Sequence, residues 1–349
     1  MAGPASPIVI DARAAHRPEL GGVERWAREM ARRLPRLRPG AYLVARPPRA
    51  LVHRAGHLWE QAALPARAAL ARASVVYGPA NLAPIAWPRN VLQVHDAAAL
   101  RHPAWYSPLY VAWQRRLLPA VVRRARHVVT VSEFSRRELV ELLGADTERI
   151  SVIPGGVDER FSPQTDPEPA RRALGFSHPY VLTVASRTAR KNLGALGPAA
   201  AALREHGIEL VAAGGSRPQF QGEPPPDGVH QLGPVRDELL PSLYAGARAF
   251  VLPSLYEGFG LTCLEAMASG LPVAAAARGA LPETCGEAAI LFDPEDTAEV
   301  AAATLRAATD DDARRHLAQA GRERARRLSW ERTARRMDAL LADLSAAQG

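Results

Sequence analysis

Phe250-Val-Leu-Pro-Ser-Leu-Tyr-Glu-Gly-Phe-Gly-Leu-Thr-Cys-Leu-Glu-Ala-Met-Ala-Ser-Gly270 reads as a strand, a glycine turn and a helix in immediate succession. The apolar run Ala249–Leu252 is a short buried strand that stops at Pro253. The turn Glu257-Gly258-Phe259-Gly260 then opens a helix over Leu261–Ser269. Unpaired amides at a helix start, reinforced by the helix dipole, favour a phosphate. Gly258 and Gly260 let the backbone come close to it. Glu257 lies in the turn and Glu265 about one turn into the helix, so both carboxylates can face one ligand. Carboxylates are good acceptors for pairs of sugar hydroxyls. On spacing alone, a plain strand–turn–helix with two solvated glutamates is the favoured reading.

The same alternation continues outward in both directions. Strands are predicted at Ile8–Asp11, Tyr42–Ala45, Ser74–Tyr77, Val91–His95, Val128–Val131 and Ile150–Ile153. A second series follows at Tyr180–Ala185, Glu209–Ala213, Val229–Leu232, Ala249–Leu252, Val273–Ala276 and Ile290–Phe292. Amphipathic stretches such as Val23–Leu34, Leu109–Arg126, Glu133–Leu143, Leu193–His206, Thr297–Ala308 and Asp311–Leu328 separate many of them. This is the pattern of βαβ units and parallel sheets. The proline-rich stretch Phe161–Pro169 reads as a linker, and Arg217–Gly228 as a surface loop. The expected division is therefore 1–165, 166–328 and a last helix after Ser329, a favourable N-cap. Doubly wound domains place ligands at the carboxyl ends of their strands.

Composition agrees with two globular domains: 349 residues, 47% hydrophobic and 23% charged. No apolar run approaches the roughly 20 residues of a membrane span, and Met1–Arg13 lacks the layout of a signal peptide. Two cysteines, Cys263 and Cys285, are too few for a zinc site or a disulfide framework and suit buried thiols in a reducing cytoplasm. The net charge of +8 is uneven, with +11 on residues 1–165 and −3 on the remainder. The basic half suggests an anionic partner such as a phosphate-bearing ligand or an acidic membrane. No nucleic-acid motif accompanies it. The cations comprise 43 arginines and one lysine, Lys191. An ammonium is a compact point charge where a guanidinium is a planar fork, so its place is a pointer.

Glu257-Gly-Phe-Gly-Leu261, Glu265, and the following Ala-Met-Ala-x-Gly-x-Pro-Val resemble the glutamate–seven–glutamate signature of the family 4 retaining glycosyltransferases. The likeness extends over residues 91–340, and less clearly over the first ninety. It implies the GT-B fold: two Rossmann-like doubly wound domains facing a central cleft, with the C-terminal helix crossing back to the first domain. It also implies the site. Glu265 would grip the donor ribose and Glu257 the transferred sugar. Gly258 and the amides of Phe259, Gly260 and Leu261 would meet the diphosphate. Arg187 and Lys191 in Val181-Leu-Thr-Val-Ala-Ser-Arg-Thr-Ala-Arg-Lys-Asn192 match the family's cationic turn, which stabilises the leaving nucleotide; cations aimed at developing charge are usually the largest catalytic term. His95 in Val91-Leu-Gln-Val-His-Asp96 would stand beside the sugar. Asp96 either contacts the sugar or caps the next segment. Gly21 and Gly22 in Leu20-Gly-Gly-Val-Glu-Arg25 resemble the loop that approaches phosphate and acceptor, with Glu24 and Arg25 as helix-surface charges. Val235 ends a strand whose backbone reads the base. Thr262 stands where many members have proline.

The resemblance thus implies transfer of a hexose, with retention, from a nucleotide-diphosphate sugar to a hydroxyl acceptor: a lipid-linked oligosaccharide, a polysaccharide or a small metabolite. GDP-mannose is ranked first as donor because His95-Asp96 with Arg101-His102-Pro103 and Trp105 is similar to bacterial mannosyl- and rhamnosyltransferases of surface polysaccharide assembly. No cofactor or metal is expected, and the aspartates at 310–312 fit a helix start. A cytoplasmic protein is expected, peripheral on the membrane's inner face through the basic helix around Arg115, Arg116, Arg123 and Arg124. An epimerase on the same fold or a non-enzymatic sugar-nucleotide-binding protein are the alternatives. A phosphorylase is disfavoured because its cofactor would require a further lysine. Lys191→Ala is expected to slow turnover without unfolding the protein.

Overall fold

The computed structural model describes residues 6–17, 21–48, 52, 56–175, 178–215, 220 and 226–347. Positions 217–219 and 221–225 of the expected surface loop, and Leu20 before the glycine pair, lie outside the described residues. The chain divides into two units. Unit 1 comprises Met1–Leu100, Ala112–Gly155 and Trp330–Gly349; unit 2 comprises Arg101–Val111 and Gly156–Ser329.

Unit 1 holds a six-stranded sheet of β1 (Ile8–Asp11), β2 (Tyr42–Ala45), β3 (Val75–Gly78), β4 (Asn90–Gln93), β5 (His127–Thr130) and β6 (Ile150–Val152). Its order is β2-β1-β3-β4-β5-β6, with every pair parallel. β1 and β3 are buried along their whole length, as parallel strands covered on both faces must be. One core cluster joins Leu92, Val94 and Val128 to Leu118, Val121 and Val122 of the helix Pro108–Arg124. The last helix, Trp330–Ala346, buries Trp330, Ala334, Met337 and Leu341, a stripe at helical spacing. It packs on the helix Gly22–Leu37 through an edge-on contact of Trp330 with Trp26, 5.6 Å between centroids. The Asp338 carboxylate adds bonds from Arg38 at 2.8 Å and the Tyr42 hydroxyl at 2.5 Å. This last helix therefore returns to the unit in which the chain begins.

Unit 2 repeats the plan with β7 (Tyr180–Val184), β8 (Glu209–Ala213), β9 (Val229–Gly233), β10 (Ala249–Leu252), β11 (Val273–Ala276) and β12 (Ile290–Phe292). The order is β12-β11-β10-β7-β8-β9, again all parallel. Strand order reverses beside β7 and β10, and the carboxyl ends of strands at such a switch point are where α/β sheets take ligands.

The observed division departs from the expected one in two places. Residues 156–165 belong to unit 2, not to the first domain. Arg160 pairs there with Asp237 at 2.7 Å, and Phe161 meets Tyr244 edge-on at 5.5 Å. The expected linker Phe161–Pro169 runs into a short helix, Glu168–Leu174, ended by Gly175 in the left-handed region. Residues 101–111 also group with unit 2 because their aromatic side chains pack there. A helical stretch over 56–70, with a π-helical turn at Trp59–Ala63, has no counterpart in the expected pattern.

Candidate active site

In unit 2 the site is built at the carboxyl ends of β7, β8, β9 and β10. After β10 the chain passes through a buried loop, Pro253–Gly260, into the helix Leu261–Ala268. Gly260 adopts φ +96°, and a Cβ there would lie 2.6 Å from Leu281 Cδ2. Gly279, at φ +61°, lies against the backbone of Glu257; a Cβ would stand 2.6 Å from its carbonyl oxygen. The Ala280 amide donates to that same oxygen at 2.9 Å. Among the described residues, the amides of Phe259, Gly260, Leu261 and Thr262 donate to no acceptor. A helix start with free amides at a strand end is thus in place.

The Glu257 carboxylate is 7% exposed. Its Oε1 accepts a hydrogen bond from the Ser254 hydroxyl at 2.9 Å and forms a close ion pair with the Lys191 ammonium. Burial alone would raise the Glu257 carboxyl, but the charges of Lys191 and Arg190 and the bonds from Lys191 and Ser254 hold it below the ordinary range. Burial lowers the Lys191 ammonium, with Glu257 opposing. An ammonium has three donors, so the pair leaves Lys191 further donors for a ligand oxygen. The sequence suggested Lys191 for the diphosphate alone; its contact with Glu257 makes it a structural cation as well. Its removal therefore bears on stability as well as on turnover.

Lys191 and Arg187 sit in the turn after β7. Asn192 ends that turn in the left-handed region, φ +51°, with its side-chain Nδ2 donating to the Pro294 carbonyl at 2.8 Å. The Arg187 amide donates to the Gly215 carbonyl at 3.0 Å, and the Gly214 amide to Gly233 at 2.8 Å, so three strand ends are stitched together. Gly214 could not be larger: a Cβ would lie 2.0 Å from the Ala185 carbonyl oxygen. Among the described residues the Arg187 guanidinium has no hydrogen-bond or ion-pair partner. Val235 is half-buried, two residues past β9. Glu265 is 4% exposed, and its Oε2 accepts from the Tyr244 hydroxyl at 3.1 Å.

In unit 1 the loop after β4 carries His95. Its Nε2 faces the Pro79 carbonyl at 2.9 Å. A carbonyl only accepts, so the ring proton sits on Nε2 and Nδ1 is left as an acceptor. Burial lowers the ring's pKa, keeping it neutral, although the Pro79 bond and the charges of Asp96 and Glu24 oppose this. The His95 amide donates to Asn81 Oδ1 at 2.8 Å, the Ser135 hydroxyl donates to the His95 carbonyl at 3.1 Å, and Trp26 meets the ring edge-on at 5.5 Å. Asp96 Oδ1 accepts the Ala98 amide at 3.1 Å, opening the short helix Ala98–Arg101. That is the capping role of the two considered. Gly21 is the N-cap of the helix Gly22–Leu37, and its amide donates to Glu24 Oε2 at 3.0 Å. Glu24, read as a surface charge, is in fact 3% exposed because it closes this cap and pairs with Arg17.

Tyr244, Asn81 and Gly279 had no signal in the sequence, because each acts through a residue distant in the chain; Ser254, three residues before Glu257, lay in the stretch Phe250–Gly270 without being singled out. The same holds for a buried group at the end of β1. Asp11 Oδ1 accepts from Trp59 Nε1 at 2.8 Å and from the Arg13 amide at 3.0 Å. Arg13 in turn pairs with Glu60 at 2.5 Å. Burial first, then the charge of Glu60, pushes the Asp11 carboxyl up to about 6.

Comparison with known proteins agrees with this architecture. Residues 20–161 match the family model described as Glycosyltransferase Family 4, and residues 178–310 that described as Glycosyl transferases group 1. The O-antigen chain mannosyltransferase B of Escherichia coli is 30% identical over 270 residues, covering 74% of this chain and 71% of that protein. A D-inositol 3-phosphate glycosyltransferase of Geodermatophilus obscurus is 38% identical over 254 residues, covering 65% of this chain and 54% of its own length. The chain thus spans only about half of that second relative. Among solved structures, the sucrose-phosphate synthase of Thermosynechococcus elongatus superposes with a TM-score of 0.77 at 23% identity, covering 99% of this chain and 100% of that one. Glycine turns, paired glutamates, a cationic turn and two parallel six-stranded sheets accord with these matches, and the chain belongs to glycosyltransferase family 4.

Proposed function

We propose that the protein transfers a hexose, with retention of anomeric configuration, from a nucleotide-diphosphate sugar bound by unit 2 to a hydroxyl acceptor. The observation that carries this reading is the grouping of Lys191, Glu257 and Ser254 beside unengaged amides at the start of the helix Leu261–Ala268. Amides and dipole suit a diphosphate. Arg187 and Lys191 stabilise the charge that develops on the leaving phosphate, in the role a metal ion plays in other transferases. Glu265, oriented by Tyr244, accepts the ribose hydroxyls. Glu257 accepts hydroxyls of the hexose, and its ionised state suits an acceptor-only role.

In unit 1, neutral His95 offers Nδ1 to a sugar hydroxyl, and the Gly21–Gly22 loop serves the acceptor side. In the step itself the acceptor oxygen bonds to the anomeric carbon as the bond to phosphate breaks, and the acceptor proton passes to the leaving phosphate. No side chain is assigned as a nucleophile. GDP-mannose is the first donor to try, supported by the name of the E. coli relative, with UDP-sugars next. A glycan or lipid-linked acceptor follows from the same relative. Among the described residues no helix is long and apolar enough to cross a membrane. The exposed Arg115, Arg116, Arg123 and Arg124 of the helix Pro108–Arg124 support contact with an acidic lipid surface.

The deciding experiment is thermal denaturation with GDP, UDP, ADP and dTDP, each with EDTA and then with magnesium. A ligand that binds the native state raises its stability by mass action. One nucleotide should raise the midpoint in EDTA. A response seen only with magnesium would remove the metal-independent role of Arg187 and Lys191, and no response to any nucleotide would remove the donor site.

A further inference from the structure

The segment Arg101–Val111 groups with unit 2 and brings to it a set of rings. His102 stacks on Trp105, 4.0 Å between centroids and 21° between planes. Its edge meets Tyr256 at 5.7 Å and 76°. Further along, Tyr106 pairs as an antiparallel bridge with Phe220, and their rings lie 5.2 Å apart. Tyr256 is 3% exposed and immediately precedes Glu257.

The loop that carries Glu257 is held on two sides by its backbone. The Leu255 amide donates to the Arg190 carbonyl at 2.9 Å, and the Ala280 amide to the Glu257 carbonyl at 2.9 Å. Neither bond sets the direction of the Tyr256 ring, which depends on what packs against it. Loss of the His102 ring opens space beside Tyr256, and a shift of Tyr256 into that space carries with it the backbone that joins it to Glu257. The carboxylate would then miss Ser254 and Lys191, both of which meet the single oxygen Oε1. A displacement of about 1 Å in such a site is enough to cost activity.

We propose that His102, backed by Trp105, is a positioning residue: it clamps Tyr256 and thereby sets where Glu257 meets the hexose of the donor. The inference rests on the reading of Glu257 as the sugar contact. The clamp acts on the sugar and leaves the nucleotide untouched, because the diphosphate amides and Glu265 lie beyond Gly258 on separately anchored backbone. Simple packing would instead support the fold without altering the preference for a sugar-bearing nucleotide.

The test is titration calorimetry of the full chain with two pairs of ligands, GDP with GDP-mannose and UDP with UDP-glucose, using the pair that the wild type binds. His102→Ala should weaken the nucleotide sugar three- to tenfold, the range expected for an aromatic pair, and leave the free diphosphate within twofold. His102→Phe should restore the sugar affinity, since it keeps both the stacked face and the edge. Trp105→Leu, at a half-buried position, should act as His102→Ala does and serves if the latter fails to fold. Glu257→Gln run in parallel separates the two ideas. If it weakens the nucleotide sugar while His102→Ala and Trp105→Leu do not, the clamp is overturned and the sugar contact stands. If Glu257→Gln changes nothing, or the wild type binds neither pair, the sugar contact fails and the clamp with it.

Discussion

Replacing Lys191 with methionine keeps the unbranched stem of the side chain and removes the terminal ammonium with its charge. The Glu257 carboxylate is then left in a site where it is 7% exposed, with the Ser254 hydroxyl as donor and the charge of Arg190 nearby. Removing one partner of a buried pair typically costs about 3–5 kcal/mol. Protonation limits this cost. A glutamate with an ordinary unfolded pKa of about 4.3 can be neutralised at pH 7 for no more than roughly 3.7 kcal/mol, at about 1.4 kcal/mol per pH unit. At pH 5 the same limit is about 1 kcal/mol. The sign follows from proton binding. Above the unfolded pKa, the folded variant holds a proton that its unfolded state releases, so the variant loses stability as pH rises. The wild-type carboxyl, held low by Lys191, is ionised in both states over this range and contributes no such slope.

Urea denaturation at pH 5, 6 and 7 measures the difference directly. The gap between wild type and Lys191→Met should widen from about 1 to about 4 kcal/mol across that range. Adding Glu257→Gln should remove most of the pH dependence, because no buried carboxyl remains. Turnover should fall about 10²–10³-fold in the single variant at every pH, from loss of a charge-stabilising donor. A gap that stays constant with pH, or that the second substitution leaves unchanged, would refute the claim that Lys191 holds a buried charge on Glu257.

Arg187→Ala should lower turnover by a similar factor of about 10²–10³, yet leave the thermal midpoint unchanged, because its guanidinium has no partner among the described residues; circular dichroism melts beside a nucleotide-release assay check both. His95→Phe should reduce transfer more than nucleotide affinity, read by the same assay and by calorimetry. It should also remove part of the acid sensitivity of the fold. The His95 pKa is lowered by burial, so its contribution to stability is present above about 6.5 and is lost as pH falls toward the folded value. Gly279→Ala should cost more than about 1 kcal/mol of stability and impair sugar binding, since φ is +61° and the new methyl would press on the backbone of Glu257; denaturation and calorimetry with a nucleotide sugar test the pair of effects.

The sequence alone determined the layer plan. Every predicted strand is present, because a parallel strand covered on both faces must be a short apolar run, and the Val-, Ile- and Leu-rich segments between polar helices leave little else for it to be. It also determined the glycine turn and its two glutamates, since Gly258, Gly260, Glu257 and Glu265 sit within one strand–turn–helix where local rules apply. Tertiary structure decided everything that depends on partners far along the chain. Lys191 meets Glu257 across 66 residues, and Tyr244 meets Glu265 across 21. Gly279 is required by a carbonyl it approaches from another loop, and Glu24 proved to be a buried cap although its spacing also suits a solvated helix face. The ranges 101–111 and 156–165 joined unit 2 against the expected division, because linker composition and strand periodicity say where elements lie and nothing about which core their side chains enter. A residue's period is written in its neighbours in sequence, whereas its burial and charge state are set by neighbours in space.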